Sequence, residues 1–517
     1  MKARLAMSLM ALALAGASPA AAEIARAKVT GGEIAGTAVD GVSEFKGIPF
    51  AAPPVGDLRW KAPHPVRPWQ GVKQTIRFGD ACMQTGGGGG AGPGIPYSED
   101  CLYIDIWTPA KSAGEKLPVI AWIYGGGFTG GATSNPLYDG TNFARKGVVF
   151  VSISYRVGPF GFLATPELSR ESGHGSGNYG LLDMIAGLKW IQANVSRFGG
   201  DPSKVTILGH SAGGWGVSML TASPLAKGLF RAAISESGAN FAPPEDTPWA
   251  GTTLQTLRMA EQGGQGFLEK LGVHSLAAAR ALPADKVLAA VRGAGARFWP
   301  PLDGYVNRGD QVLLWKQGRF NDTPILIGDV SDEGAAFGVR QTTAAAFEER
   351  VRTDYGKSAD AILATYPHAS DEEATRASTE LASDTTFDWG QFTWAREQSA
   401  HGKGKVHVYW FDKPTERDPN GSSHGMEVAY VFGNLGLRGP APSAEDRALS
   451  DQMQSYWVNF AKSLDPNGAS LPPWPAFTAA DPIVMRFGRD PGAAPDPIQS
   501  RLKVLDGYYD WRRNGSK

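Results

Sequence analysis

Apolar runs and helical patterns alternate along the first half of the chain. Continuous apolar segments at 118–124, 148–155 and 205–208 are rich in β-branched residues, as strands buried on both faces are. Between Gly180 and Arg197 the apolar residues instead recur at helical spacing. This alternation predicts an α/β fold, with a mostly parallel central sheet covered by helices.

Helical patterns dominate from about residue 240 to residue 400. Two of these helical segments are Leu276–Val291 and Ala344–Tyr355, and one strand-like run, Pro324–Ile327, lies between them. No linker-like segment divides the chain. We therefore predict one domain over 23–517, with the helical stretches of roughly 240–400 inserted as a cap over the edge of the sheet.

The amino terminus has the pattern of a signal peptide. Lys2 and Arg4 precede a short apolar run, Ala6–Gly16, and small residues follow at Ala20–Ala22. The run is shorter than the ~20 apolar residues that a membrane-spanning helix needs. We predict cleavage after Ala22 and a secreted or periplasmic protein without a stable membrane anchor.

The charge of the chain argues against nucleic acids and membranes as binding partners. The formal net charge is −1, and loss of Lys2 and Arg4 would make it −3. No basic cluster indicates nucleic-acid binding or a polybasic membrane contact, so the expected partner is a small molecule. Nothing in the sequence indicates an oligomeric state.

Cys82 and Cys101 are the two cysteines, and in an exported protein they predict one disulfide around a glycine-rich loop that begins at Gly86.

The sequence Gly209-His-Ser-Ala-Gly213 has the G-x-S-x-G pattern of a nucleophile elbow. Such a match arises readily by chance in a glycine-rich chain, so the neighbouring residues decide whether it is a nucleophile elbow. The apolar strand 205–208 precedes it, and small residues that suit a tightly packed helix follow it. This context predicts Ser211 as a nucleophile on a strained strand-to-helix turn.

A glycine run supplies a second element of serine chemistry. Gly125, Gly126 and Gly127 follow the strand at 118–124, and residues without side chains let several N–H groups approach one point. Because a serine nucleophile requires donors for the oxyanion that it creates, we predict the N–H groups of Gly126, Gly127 and Ala212 as the oxyanion hole.

The base and the acid are less clearly marked. Of the histidines that follow the helical region, His407 lies in an alternating strand, His401 in a polar turn and His368 beside a proline. His424 lies in a glycine-flanked loop after a strand, the usual place of a catalytic histidine in such folds, and position favours it. The candidate acids follow the strand at 324–327 and are Asp329, Asp332 and Glu333. Their positions alone do not indicate which of them is the catalytic acid.

Several longer motifs resemble those of the type-B carboxylesterase family, which includes the cholinesterases. The resemblance covers nearly the whole mature chain and implies an α/β-hydrolase fold. The matching segments are Phe45–Trp60, Ser98–Tyr103, Trp122–Phe128, Tyr155–Leu163 and Gly177–Asp183.

The resemblance implies the remaining catalytic residues. The glutamate of the family lies in an Asp-Glu-Gly element, which is Asp332–Gly334 here, and its histidine in a His-Gly element, which is His424–Gly425. It implies Glu333 and His424 as partners of Ser211 in acyl transfer. Phe298 and Trp299 align with the acyl-pocket segment of the family, and we add Phe128 to this expected pocket; simple core packing of these aromatic residues is the alternative. No cofactor or metal is expected.

Two differences from the family bear on specificity. His210 stands before the nucleophile, where the family usually has glutamate, and we interpret it as a neighbour of the elbow rather than the base. The segment between Cys82 and Cys101 lacks the choline-binding tryptophan of cholinesterases, which argues against cholinesterase specificity.

Two alternatives to a carboxylesterase remain at this stage. One is a non-catalytic binding protein of the same family, against which the presence of Ser211, Glu333 and His424 argues. The other is the same triad acting on amides, thioesters or a xenobiotic ester, and the sequence does not choose among these substrates.

Overall fold

The computed structural model describes residues 23–85, 90–244, 254–291, 297–337, 341–414, 419, 421–437 and 440–514. The predicted signal peptide, residues 1–22, lies outside the described residues. So do Gly86–Gly89 of the predicted disulfide loop.

The fold is organised around an 11-stranded sheet. Its spatial order is β11-β10-β9-β8-β7-β6-β4-β5-β3-β2-β1, numbered by position along the chain. Strands β4 to β10 pair in parallel, and the strands at both ends pair in antiparallel fashion. The predicted α/β architecture is therefore confirmed. The strands are β1 Thr37–Val39, β2 Val42–Pro49, β3 Tyr103–Thr108, β4 Leu117–Ile123, β5 Val149–Ile153, β6 Gly200–His210, β7 Ala232–Glu236, β8 Ile325–Val330, β9 Val406–Phe411, β10 Ile483–Phe487 and β11 Gly492–Pro495.

Helices cover the sheet and connect its strands. The described residues form three further short sheets: Arg26–Val29 with Gly32–Ala35 and Val72–Gln74, Ala81–Cys82 with Tyr97–Ser98, and Gln255–Thr256 with Pro301–Leu302. The helices are α1 Thr141–Arg145, α2 Gly158–Phe162, α3 Pro166–Ser172, α4 Tyr179–Asn194, α5 Ala212–Ala222, α6 Leu257–Lys270, α7 Leu276–Ala281, α8 Ala284–Ala289, α9 Gln311–Lys316, α10 Ala344–Tyr355, α11 Ala359–Thr365, α12 Asp371–Ser383, α13 Trp389–His401, α14 Met426–Phe432, α15 Ala444–Ser463 and α16 Gln499–Asn514.

The inner strands are buried because helices pack on both faces of the sheet. Every residue of β5 and of β7 is buried, which explains their continuous apolar runs. The predicted helix between Gly180 and Arg197 is α4, and the predicted helix Ala344–Tyr355 is α10.

The helical segment predicted over Leu276–Val291 is present as two helices. The segment forms α7 and α8, with Leu282 extended between them at φ −69° and ψ 140°. Pro283 explains the break, because a proline disfavours the helical conformation of the preceding residue and donates no backbone hydrogen bond.

The region from 240 to 400 contains helices α6 to α13, and β8 passes between them into the sheet. Helix α12 continues through one π turn, Asp384–Asp388, into α13. The interpretation of these helices as a cap stays a prediction.

The predicted disulfide between Cys82 and Cys101 is present, and both residues are buried. Beside it, the guanidinium of Arg59 donates from Nε and Nη2 to the carboxylate of Glu99, at 2.7 and 2.6 Å. Arg59 Nη1 also donates to the carbonyls of Ala279 at 3.1 Å and Leu282 at 2.7 Å. One side chain thus joins the disulfide segment to the end of α7.

Replacing both cysteines by serine should lower the free energy of unfolding by about 3 kcal/mol, because the crosslink restricts the unfolded chain. Urea denaturation without reductant measures the change, and the wild-type protein with reductant is the control. Equal denaturation midpoints for the variant and the oxidised wild type would contradict a stabilising crosslink.

Candidate active site

Ser211 lies between the end of β6 and the start of α5. Its backbone is left-handed, with φ 57° and ψ −125°, a conformation that costs energy in a residue with a side chain. The surroundings hold it there: Ser211 N–H donates to the carbonyl of Glu236 at 2.8 Å, and Trp215 N–H donates to the carbonyl of Ser211 at 2.9 Å. The predicted elbow is therefore present in the backbone.

Close backbone contacts explain the glycines around the serine. A Cβ on Gly213 would lie 2.0 Å from the carbonyl oxygen of Ile123 in β4, and a Cβ on Gly209 would lie 2.4 Å from the carbonyl carbon of Gly213. A Cβ on Gly125 would lie 2.9 Å from Ser211 Cβ. Real Cβ atoms do not come this close to other atoms, so these positions require glycine.

The glycine loop packs directly against the elbow. Gly126 and Gly127 have φ values of 118° and 62°, and the N–H groups of Thr129 and Gly130 both donate to the carbonyl of Gly126 at 3.1 Å. Ala212 is the first residue of α5, where the N–H group has no acceptor within the helix. The predicted oxyanion donors thus lie in this loop and at this helix end, and their role stays a proposal.

Glu333 lies three residues after β8, in a short 3₁₀ turn. Its Oε1 accepts a hydrogen bond from Val330 N–H at 3.0 Å, and its Oε2 is hydrogen-bonded to His424 Nδ1. The two loops that carry these residues are joined by the Asp332 N–H, which donates to the carbonyl of Ser422 at 2.9 Å. Of the three candidate acids, Glu333 is therefore the one in contact with His424.

The other acid candidates occupy different positions. Asp329 is a buried residue of β8 itself, and Glu333 is fully buried. Neither residue is therefore a solvated loop charge. Asp329 belongs to the strand because β8 continues to Val330, beyond the apolar run.

The remaining histidines lie elsewhere. His407 is buried in β9 and packs against aromatic rings, as predicted. His368 lies between α11 and α12, with Nδ1 bound to a carbonyl. His401 ends α13 and faces Glu397 at 3.4 Å, so its predicted position in a turn is wrong.

His424 makes no hydrogen bond to Ser211 in the described structure. His424 Nδ1 is bound to Glu333, and its buried Nε2 has no hydrogen-bond partner among the described residues. The ring of His210, the neighbour of Ser211, lies 4.7 Å from the ring of His424 between centroids. Catalytic hydrogen bonds often close only when substrate binds.

Aromatic rings form a continuous row from the glycine loop to His424. The centroid of Phe128 lies 4.8 Å from that of Trp299, and Trp299 lies 4.9 Å from Trp215. Trp215 stacks on Phe387 at 5.4 Å, and Phe387 lies 4.6 Å from the His424 ring. Of the predicted pocket residues, Phe128 and Trp299 belong to this row.

Phe298 packs against Phe267 of α6 instead, with centroids 4.9 Å apart. Three aromatic residues near His424 were absent from the sequence prediction: Trp215, Phe337 and Phe387. Trp215 could have been found, because it follows the nucleophile by one helical turn. Phe337 is 65% exposed and lies 5.3 Å from the His424 ring.

Buried carboxyl groups surround Glu333. Burial raises the pKa of Asp329 well above its usual value, and the charge of Glu333 adds to the effect. Burial and the neighbouring Asp329 likewise raise the pKa of Asp388. Burial and the charge of Glu236 raise the pKa of Glu427, and burial raises the pKa of Glu236 to about 8. Low polarity therefore favours the protonated form of these neighbours.

One carboxylate oxygen from each of Asp329, Glu333 and Asp388 lies within 4.8 Å of the others, a spacing that could hold a cation. Both oxygens of Glu333 already accept hydrogen bonds, from Val330 N–H and from His424. The group is better described as two carboxyl groups with raised pKa values, Asp329 and Asp388, beside the hydrogen-bonded Glu333 than as a metal site.

Comparison with known proteins gives the family. The family model described as "Carboxylesterase family" matches residues 21–503. This chain belongs to the carboxylesterase family. The predicted resemblance is confirmed, and carboxylic ester hydrolysis is the activity of this enzyme.

Relatives of this carboxylesterase match it over most of their length. Fumonisin B1 esterase of Sphingopyxis macrogoltabida is 38% identical over 484 residues, covering 88% of this chain and 86% of the relative. Para-nitrobenzyl esterase of Bacillus subtilis (strain 168) is 36% identical over 473 residues, covering 86% and 91%. A solved structure of a PNB esterase has a TM-score of 0.82 and 32% identity, covering 93% of this chain and 99% of that one.

Replacing Gly213 by alanine should lower the free energy of unfolding of this carboxylesterase by about 1–3 kcal/mol, because the new methyl group would overlap the backbone of β4. Gly266→Ala is the matched control: Gly266 lies in α6, where a Cβ would meet no described atom of its surroundings within 4 Å, and alanine there should stabilise the helix. Denaturation midpoints measure both, and equal stability of the two variants would contradict the steric explanation.

Glu236→Gln should flatten the dependence of stability on pH. The pKa of Glu236 is raised to about 8 in the folded protein, against a usual 4.5. The folded state therefore binds the proton more tightly, and the wild-type enzyme should lose stability as pH rises from about 4.5 to 8. Urea denaturation at pH 5, 7 and 9 measures this loss, with exposed Glu372→Gln as control. Parallel curves for all three proteins would contradict the assignment.

Proposed function

We propose that this carboxylesterase acts by two-step acyl transfer, with Ser211 as nucleophile, His424 as general base and Glu333 as the acid that orients it. The hydrogen bond between His424 Nδ1 and Glu333 carries the proposal. It leaves the other ring nitrogen, Nε2, unpartnered in the described structure and available for the serine hydroxyl. The left-handed backbone of Ser211 supports the same roles, since it is typical of a nucleophile elbow.

The chemistry follows from these positions. His424 Nε2 takes the proton of Ser211 Oγ as Oγ bonds to the carbonyl carbon of the ester. The N–H groups of Gly126, Gly127 and Ala212 stabilise the resulting oxyanion. The protonated His424 then gives its proton to the alcohol as the ester bond breaks, which leaves the acyl group on Ser211. A water molecule, deprotonated by the same nitrogen, attacks the acyl carbon, and His424 returns the proton to Ser211 Oγ as the acid leaves.

The aromatic row indicates which esters fit. Phe128 and Trp299 adjoin the glycine loop, so we assign them to the acyl pocket, whereas Phe298 packs away from the row. An apolar, aromatic wall favours esters with apolar groups. The relatives named for fumonisin B1 and para-nitrobenzyl esters make both compounds sensible members of a substrate panel.

Export of the enzyme is the second part of the proposal. None of the described helices is long and apolar enough to cross a membrane. The disulfide between Cys82 and Cys101 fits an oxidising compartment. Together with the amino-terminal pattern, this supports a secreted or periplasmic enzyme cleaved after Ala22, and the mass of the mature protein tests the cleavage site.

Ser211→Ala and His424→Ala should each lower kcat/KM for p-nitrophenyl esters of graded acyl length by about 10³-fold or more, because each removes a reacting group. Glu333→Gln should lower it less, since the oxyanion donors and His424 remain. Asp332→Asn is the matched control: it lies next to Glu333, and only the acid at 333 should matter for turnover.

A fluorophosphonate probe should label the wild-type enzyme at Ser211 and leave Ser211→Ala unlabelled, as peptide mass spectrometry would show. Turnover retained by Ser211→Ala would contradict the proposed nucleophile. A wild-type protein that neither turns over esters nor takes the label would favour the non-catalytic binding protein instead.

A further inference from the structure

His210 lies at the end of β6, directly before Ser211, and is mostly buried. Its ring packs against the ring of His424 with centroids 4.7 Å apart and planes inclined by 37°. The residue that precedes the nucleophile therefore contacts the ring of the proposed base, although it is neither nucleophile nor base.

The same ring faces a buried carboxyl group. His210 Nε2 lies 4.0 Å from Oε1 of Glu427, which is the second residue of α14 and fully buried. Ser237 Oγ donates to the same oxygen at 3.3 Å. His210, like His424, therefore has a buried carboxyl group beside its ring, but the distance of 4.0 Å is that of an electrostatic contact and not of a hydrogen bond.

Glycines confine the His210 ring on both sides. A Cβ on Gly425 would lie 3.1 Å from His210 Cε1, and a Cβ on Gly125 would lie 3.2 Å from His210 Nδ1. The ring is therefore packed between the glycine loop and the loop that carries His424. A displacement of His210 would be transmitted to both.

We propose that His210 and Glu427 form a second imidazole–carboxyl pair that packs against His424 and holds the plane of its ring, which makes His210 a positioning residue. This inference rests on the proposed function, because it concerns the orientation of His424 as base. His210 itself takes no proton from the serine and forms no bond to substrate.

The physical need for such a pair follows from how His424 is held. The hydrogen bond to Glu333 restrains one edge of the imidazole, at Nδ1, and leaves rotation about that bond to be limited by packing. Phe387 contacts the ring at 4.6 Å, but His210 is the contact whose own position is restrained by a carboxyl partner. A ring rotated by a few tens of degrees would no longer direct Nε2 at Ser211.

A double-mutant cycle tests the pair, with His210→Phe, Glu427→Gln and the variant with both changes. Each single change should lower kcat about tenfold with KM within about twofold, because positioning of the base affects the chemical step. The double variant should be no more than about tenfold below wild type, since residues that act as one unit lose their effect together. Losses of kcat that multiply to about a hundredfold would overturn the pair, as would single variants with unchanged kcat.

His407→Phe is the matched control, since it also replaces a buried histidine by a ring but lies at the amino end of β9, near Leu326. It should leave kcat unchanged. His210→Gln, which keeps a hydrogen-bonding group toward Glu427, should retain more kcat than His210→Phe, and it serves as the test if the phenylalanine variant does not fold by circular dichroism. Equal or lower kcat for His210→Gln would contradict the pairing.

Ser211→Ala separates the two possible failures. If Ser211→Ala is inactive while the His210 and Glu427 variants behave as wild type, the pair is wrong and the triad stands. If Ser211→Ala retains turnover, the proposed function itself is wrong.

Discussion

The contact on which the site depends is one of backbone against backbone. Helix α5 begins so close to β4 that Gly213 has no space for a Cβ beside the carbonyl of Ile123. This approach forces the chain to reverse within one residue, and Ser211 takes the strained left-handed conformation that results. It also brings the glycine loop after β4 against the serine, so that nucleophile and proposed oxyanion donors are positioned by a single packing constraint.

The partners of Ser211 come from the same edge of the sheet. Parallel strands direct their carboxyl ends alike, so the ends of β6 and β8 and the loop after β9 meet in space although they are far apart in sequence. This arrangement also places several acidic residues in the interior, among them Asp329, Asp388 and Glu427. Raised pKa values reconcile burial with proximity, because neutral carboxyl groups neither repel one another nor require solvation.

Local sequence patterns were sufficient to predict those features that a single continuous segment forms. The elbow and the glycine loop are each contiguous, and α4 and the buried strands follow from spacing alone. The sequence alone did not choose the acid among Asp329, Asp332 and Glu333. The structure distinguishes them by the residue at which β8 ends and by the hydrogen bond from Val330 N–H to Glu333, and neither can be predicted from a local sequence pattern. Phe387 of the π turn contacts His424, although the two residues are far apart in sequence. Phe298 and Trp299 are adjacent in sequence but pack against different rings, Phe267 and Phe128.

Arg59 has a consequence beyond its local contacts. Its guanidinium satisfies the carboxylate of Glu99 and the carbonyls at the end of α7 at the same time. If α7 detached, this buried cation would lose several carbonyl acceptors at once and keep its ion pair with Glu99. We therefore expect the opening of α7 to weaken the packing of the disulfide segment, and the amide hydrogens of the two segments to exchange in concert.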